Sequence, residues 1–294
     1  MNDKSRSFFH RAQRWLALKV RRWVSQPILN VGELILGKDV IIEPGVEIHC
    51  RRLVLGDGVI IREGTRIEMR DLVVGDYTRI YNHALFTGDA PCRIGHNCWI
   101  GHFTIINATD EFRMGNGVGV GAHSQLWTHN YFGDVLDGCR FASQKPMLIE
   151  DDVWFTGHSI VTPITARRRS MALVGSVVTK DMEENHVYAG TPAKDVTEKL
   201  GTQFQSRSLE EKQVIMQGYL DEFLLNRKLA QNRIRIVDKI DLAQKELSQF
   251  SLTERVYLKH LYEEEMLFMK FLTPTKAKFN PHPTTDWMTP FFTI

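Results

Sequence analysis

Only four cysteines occur in the chain, Cys50, Cys92, Cys98 and Cys139, with no CxxC pair and no zinc-ligand spacing. That scarcity argues against a disulfide framework or a structural metal and suits a reducing, cytoplasmic setting. Long apolar runs are missing too: none reaches the roughly 18 to 20 residues that span a bilayer, and the first residues hold no apolar stretch ending in a small-residue cleavage site. The expectation is a protein that neither crosses a membrane nor is exported. Charge of one sign is also lacking, since 37 Lys+Arg against 35 Asp+Glu leave a formal charge of +2. No global field for nucleic acid follows from that balance, and any basic function must be local. With 43% apolar residues over 294 positions the chain can bury a substantial core, as one large domain with an appendage or as two modest ones.

One local concentration of charge stands near the start. Residues 6–24 set Phe8, Phe9, Ala12, Trp15, Leu16, Val20, Trp23 and Val24 at helical spacing, while Arg6, Arg11, Arg14, Lys19, Arg21 and Arg22 tend to the other sides. Residues 1–33 therefore read as a basic amphipathic helix and lead-in. Such a helix either makes peripheral contact with an anionic leaflet or caps the open end of the next domain.

What dominates the sequence is a repeat. Branched apolar residues recur every six positions in groups of three: Leu36/Ile42/Ile48, Leu55/Ile61/Ile67, Val74/Ile80/Phe86, Ile94/Ile100/Ile106, Met114/Val120/Leu126 and Ile149/Phe155/Val161. Six residues taken three times make a triangular coil of about eighteen, each flat face carrying one inward side chain per repeat. The first members are offset by 19, 19, 20 and 20, which leaves one or two residues to be absorbed at a corner. Gly37, Gly56, Gly75, Gly95 and Gly115 each follow a first member, where a residue without Cβ fits a tight corner. The pattern predicts a mainly β, left-handed parallel β-helix over residues 34–200.

The next offset is 35, so roughly fifteen residues beyond one coil lie between Leu126 and Ile149. That insertion must protrude, and protruding loops on a regular scaffold are usually functional. This loop, residues 127–147, opens with Trp127, Thr128, His129, Asn130 and Tyr131. After Val161 the pattern weakens: Ala166, Ala172 and Val178 hold the register, Arg167, Arg168 and Arg169 stand where Gly-Asp is expected, and the solenoid closes near Lys180. From Ser208 the spacing turns helical, so residues 201–294 read as a helical appendage with an irregular tail from Pro281.

Three motifs in this order resemble the hexapeptide-repeat acyltransferases, in particular their maltose, galactoside and xenobiotic acetyltransferase branch. They are Gln125-Leu126-Trp127-Thr128-His129; Ile149-Glu150-Asp151-Asp152-Val153-Trp154-Phe155-Thr156-Gly157; and Val174 to Asp181 with Ala189-Gly190-Thr191-Pro192-Ala193-Lys194. The likeness covers about residues 34–197. Glu150, Thr156 and the triple arginine depart from the family pattern, and neither end of the chain belongs to it.

The resemblance implies acetyl-CoA as co-substrate, no metal, and transfer of acetyl to a sugar or glycan hydroxyl. His129 matches the family's general base, and imidazole, with an ordinary pKa of about 6.5, suits proton abstraction at neutral pH. Trp154, Gly157, His158, Val174, Gly175, Thr179, Lys180 and Lys194 map onto coenzyme contacts, the lysines as phosphate partners. Asn107, Trp127 and Asp89 map near the acceptor, with His102 and Asp110 on the same rim. Trp154 reads equally as a core-edge residue, and Arg167 to Arg169 as a solvated corner or a phosphate clamp. The family also implies a homotrimer with His129 facing coenzyme on a neighbour.

The basic N-terminal segment points to a surface-polysaccharide or lipopolysaccharide precursor as acceptor. N-acetylation of an amino sugar or nucleotide sugar is the alternative within the enzyme class. Two other classes share the repeat: a carbonic-anhydrase-like metal site using histidines across a subunit boundary, and a non-catalytic scaffold.

Overall fold

The structure, a computed structural model, describes residues 26–227, 233–244, 246–273 and 275–292. The basic segment 6–24 lies outside the described residues. None of the described helices is long and apolar enough to cross a membrane.

The repeat builds a parallel β-solenoid with three faces. The first face stacks eight strands in one path: Ile28–Leu36, Glu47–Leu55, Arg66–Val74, Leu85–Ile94, Ile105–Asn107, Gln125–Leu126, Ile160–Val161 and Val177–Val178. The first four run on through a bend into the second face, which Phe112–Met114, Met147–Ile149 and Thr165–Ala166 continue. The third face stacks two-residue strands from Ile41–Ile42 to Met171–Ala172 and ends in Val187–Ala189. Register follows the sequence offsets: Ile28 pairs with Glu47, Glu47 with Arg66, and Gln125 with Ile160 across the insertion. This is the mainly β solenoid expected, consistent with a left-handed β-helix.

From Ile48 to Val161 every residue of the repeat is at most 3% exposed, and Ala166, Ala172 and Val178 continue the inward rows at no more than 1%. The arginines therefore do not end the solenoid. Met182 and Val187 supply a further set of inward side chains, so the coils run past Lys180 to Ala189. Burial pushes the Cys50 thiol up to about 11 and Cys98 to about 12, which leaves both as inert core residues.

The glycine that follows each of the first five second-face strands serves stacking rather than a left-handed corner. A Cβ on Gly75 would stand 2.6 Å from the backbone nitrogen of His96 in the next coil. The left-handed residues come two positions later and include Tyr77 and Asn97, at φ 55° and 57°. Between them runs a ladder in which each side chain accepts the backbone N–H one coil below: Asp57 from Lys38, Asp76 from Asp57, His96 from Asp76, Asn116 from His96 and Asp151 from Asn116.

The appendage docks on that ladder. After a short helix at its start, α1 (Thr197–Leu200), it has helices at the two stretches of helical spacing, α2 (Leu209–Asn226) and α3 (Glu263–Leu272), a further short one, α4 (Thr289–Phe292), where an irregular tail was expected, and also a four-stranded sheet: Ile234–Val237, Ser248–Ser251, Val256–Tyr257 and Asn280–Pro281. α2 starts at a capping box, Ser208 accepting from the Glu211 backbone while Glu211 accepts from that of Ser208. Its Leu220 and Phe223 pack with Phe268 and Leu272 of α3, with Phe250 and Tyr257 of the sheet, and with Tyr77 of the solenoid. Lys259, 2% exposed at its side chain, reaches between Asp57 and Asp76, 2.6 Å from the latter. Asp286 approaches His96 at 3.5 Å, and Arg255 holds Asp152 bidentately at 2.5 and 3.0 Å. The segment expected as an irregular tail is fixed too, since Trp287, Met288, Phe291 and Phe292 pack over Val54 and Val73.

Candidate active site

His129 is set by a strand and a hairpin. Gln125–Leu126 pairs with Ile105–Asn107 one coil below, which brings the start of the insertion over Asn107. The chain then leaves the solenoid as a short antiparallel hairpin in which His129 opposes Gln144 and Asn130 opposes Ser143. Its base is pinned: the Lys145 amide donates to the Thr128 carbonyl at 3.0 Å, and Gln144 Nε2 to the Thr109 carbonyl at 3.3 Å. Beyond it Phe132, Val135, Leu136 and Phe141 are exposed, so the loop protrudes as its length required.

Under the hairpin lies a closed hydrogen-bond group. The Thr128 hydroxyl, fully buried, is 3.1 Å from the Asn107 carbonyl oxygen and 3.0 Å from its Oδ1, and accepts the Asp110 amide at 3.0 Å. Asn107 Oδ1 also accepts from the Thr109 amide at 3.2 Å and lies 2.9 Å from His129 Nδ1. A backbone N–H can only donate, so the Thr109 contact fixes which end of the Asn107 amide faces the ring. Nδ1 must then carry the imidazole proton. Nε2 is left as the basic nitrogen, and it makes no hydrogen bond among the described residues. Trp127 and Tyr131 flank the ring at centroid distances of 5.9 and 5.0 Å.

The other expected residues divide between two corners. At the corner where the first face ends, Asn107, Trp127 and Thr179 follow corresponding strand ends, with Lys180 exposed beside Thr179 and Asp89 exposed on the coil below Asn107. Asn107 itself is 4% exposed, and its Oδ1 faces Thr109, Thr128 and His129. Trp127 Nε1 donates to Gln125 at 3.2 Å.

At the corner where the first face begins stand Gly157, His158, Val174 and Gly175, with Trp154 on the adjoining third face. Trp154 is half exposed and lies over Gly119, where a Cβ would come within 2.9 Å of its ring. At about 3.3 Å per residue, the four residues from Gly175 to Thr179 put these corners about 13 Å apart within one chain. Lys194 pairs with Ala189 beyond the last coil and is exposed.

At the arginine corner the side chains have partners within the chain. Arg167 pairs with Glu183, Arg168 with Glu184, and Arg169 lies over the Phe204 ring at 5.3 Å. A feature not foreseen is a column of rings along the corner of His158: His83, Phe103, His123 and His158 stack at 5.0, 5.0 and 4.9 Å. The spacing of 20 between the first three is the repeat itself, so the column was legible to anyone following outward as well as inward rows. Among the described residues no three His, Cys, Asp or Glu side chains group to hold a metal ion.

No family model matches the chain. "Putative acetyltransferase YJL218W" of Saccharomyces cerevisiae is 33% identical over 116 residues, 37% of this chain and 58% of that protein. The chain thus matches little more than half the length of this curated relative. Among solved structures, a hexapeptide-repeat acetyltransferase, VCA0836 of Vibrio cholerae, complexed with acetyl-CoA, is 21% identical with a TM-score of 0.30, over 63% of this chain and 76% of that one. The polysialic acid O-acetyltransferase OatWY is 13% identical with a TM-score of 0.39, over 66% and 97%. The Bacillus cereus N-acyltransferase AntD, bound to dTDP-4-amino-4,6-dideoxyglucose and coenzyme A, is 13% identical with a TM-score of 0.38, over 72% and 97%.

Proposed function

We propose that this chain is an acetyl-CoA-dependent acyltransferase that acetylates a hydroxyl of a sugar or of a surface-glycan precursor. The observation that carries the proposal is the Asn107–His129 pair on a loop that leaves an otherwise regular solenoid. The curated relative, itself named as an acetyltransferase, supports the class of reaction.

In this reading His129 Nε2 takes the acceptor proton as the oxygen attacks the thioester carbonyl carbon. Collapse of the tetrahedral intermediate breaks the C–S bond, and the imidazolium returns the proton to the departing thiolate. No acyl-enzyme forms. Asn107 is a positioning residue: its amide oxygen accepts from Nδ1 and so holds the tautomer and the ring's orientation. The exposed Lys180 and Lys194 suit the coenzyme phosphates, and the half-exposed Trp154 its pantetheine arm. With the candidate residues divided between two corners, the proposed working unit is a homotrimer in which His129 acts on coenzyme held by a neighbour. In the same reading the protein acts in the cytoplasm, with the basic segment 6–24 making peripheral contact with an anionic membrane face.

The test follows thiol release from acetyl-CoA across sugars, amino sugars and nucleotide sugars. Wild type should turn over with a hydroxyl acceptor, and His129→Ala should lose about 10²- to 10⁴-fold in kcat, the usual contribution of a general base. Asn107→Ala should lower kcat with KM little changed. Turnover confined to amine acceptors would move the reading to N-acetylation. No turnover together with no coenzyme A binding by calorimetry would return the solenoid to the scaffold class.

A further inference from the structure

The column of rings stops at both ends, but only one end is closed. His83, Phe103, His123 and His158 hold the same place in successive coils. Each has left-handed backbone, at φ 59, 56, 60 and 48°, and each N–H donates one coil down, to the carbonyls of Glu63, Asn82, His102 and Ala122. Neighbouring rings are inclined by only 18, 11 and 14°. Gly64 and Gly175 hold the same place in the coils on either side, both at φ 73°, and the Gly175 N–H makes the matching bond to the Gly157 carbonyl. At Gly64 the place is filled: a Cβ there would stand 2.2 Å from Nδ1 of His83, whose ring leans down over the glycine. At Gly175 it is open. Beyond its chain neighbours, no heavy atom of the described residues lies within 4 Å of where a Cβ would be.

Because the rings lean toward the first coil, the face of His158 turned to Gly175 has no ring of the described residues upon it; His158 stacks on His123 alone. Val174 beside it is 69% exposed, and the Thr191 hydroxyl donates to the Gly175 carbonyl at 3.4 Å. We propose that this fifth place in the column receives the base of a nucleotide, stacked on His158 over Gly175. A base is flat on both faces, and its stacking on an aromatic ring needs no particular hydrogen-bond pattern. The column is exposed along its length, so a base enters from solvent with its sugar and phosphates outward. The rungs repeat at the spacing of neighbouring strands, about 4.8 Å, so one flat ring fills the place that one more coil would have filled. The inference rests on the acyltransferase reading only for the source of the base, the adenine of coenzyme A; a nucleotide sugar as acceptor would supply the same chemistry.

The test compares acetyl-CoA with acetyl-pantetheine, a donor that has no base, in the full chain and in His158→Ala, His158→Phe and Gly175→Phe. In His158→Ala the ratio of kcat/KM for acetyl-CoA to that for acetyl-pantetheine should fall at least about fivefold, the weakest loss expected for one stacked base. His158→Phe keeps a flat ring and should restore the ratio, which a role of the imidazole as acid, base or hydrogen-bond partner would not allow. Gly175→Phe fills the place with a ring of the chain's own and should lower the ratio as His158→Ala does; four residues with side chains already hold this left-handed position in other coils. A rise in KM for a nucleotide-sugar acceptor instead would make the base the acceptor's. If neither donor ratio nor acceptor KM moves, the proposal is overturned. Calorimetry with 3′,5′-ADP separates it from the acyltransferase reading. Binding that both His158→Ala and Gly175→Phe abolish, in a protein without turnover, keeps the base site and removes that reading, whereas turnover with binding untouched by either variant does the reverse. Dissociation of an oligomer by either variant, with 3′,5′-ADP binding unchanged, also overturns the proposal and assigns the place to an aromatic side chain of a second copy.

Discussion

The solenoid and the appendage bury comparable kinds of side chain but are held by different kinds of contact. In the solenoid each inward residue meets its own counterpart 16 to 35 positions away, as Ile61 meets Ile80 on the third face or Leu126 meets Val161 on the first. Its stability is a sum of similar neighbour terms. The appendage has no such repetition. It rests on single contacts over long separations: Lys259 with Asp76 at a separation of 183, Trp287 with Asp57 at 230, Arg255 with Asp152 at 103. A repeated interface tolerates the loss of one rung, whereas a singular one depends on few residues.

The largest expected effect is therefore at Lys259. Removing one partner from a buried charge group leaves the others uncompensated, at about 3–5 kcal/mol. Lys259→Ala strands Asp57 and Asp76, both at most 1% exposed. Chemical denaturation should show the appendage transition moving to lower denaturant ahead of the solenoid; a single concerted transition would instead show that the two regions fold as one unit.

A cavity in mid-solenoid should cost a similar or smaller amount. Ile100→Ala removes a fully buried side chain between Ile80 and Val120, for about 2–5 kcal/mol, with the appendage transition little changed. If that substitution releases the appendage as readily as Lys259→Ala does, the contrast between the regions fails.

The smallest effect is one of pH. Burial alone would lower the Lys259 pKa, but Asp76 and Asp57 outweigh it and hold the pKa above the ordinary lysine value. A raised lysine contributes fully below its unfolded pKa of about 10.4 and loses that contribution as pH rises through the folded value. Denaturation midpoints should show an alkaline loss above about pH 10.4 that is larger in wild type than in Lys259→Met, while below that pH the difference between the two stays constant. A difference that changes between pH 6 and pH 9 would place the controlling group elsewhere.

The chain's own spacing was enough for the coils, the inward rows and the protruding loop. Its weakest rung, Ala166/Ala172/Val178, still kept the register. Two features went unread in the last part of the chain. Met182 and Val187 continue the solenoid without a hexapeptide glycine, and the strands at 234–237 and 248–251 are too short for their period to stand out. At the candidate site, His129 was marked by its motif, but the part played by Asn107 was not. Asn107 lies 22 residues before His129, and nothing in the composition of either stretch says that an amide oxygen will meet Nδ1.

What the sequence determined by itself is whatever a translational repeat determines: the same side chain returning at the same place in the next coil, so that periodicity is contact. What only the tertiary structure decided is where unlike stretches meet. Asn107 reaches His129 because the strand before the hairpin stacks directly on Ile105–Asn107. Lys259 reaches Asp57 and Asp76 because an unrelated fold happens to offer a cation where the corner ladder concentrates carboxylates. Such meetings are fixed by shape and charge in three dimensions and leave no period along the chain.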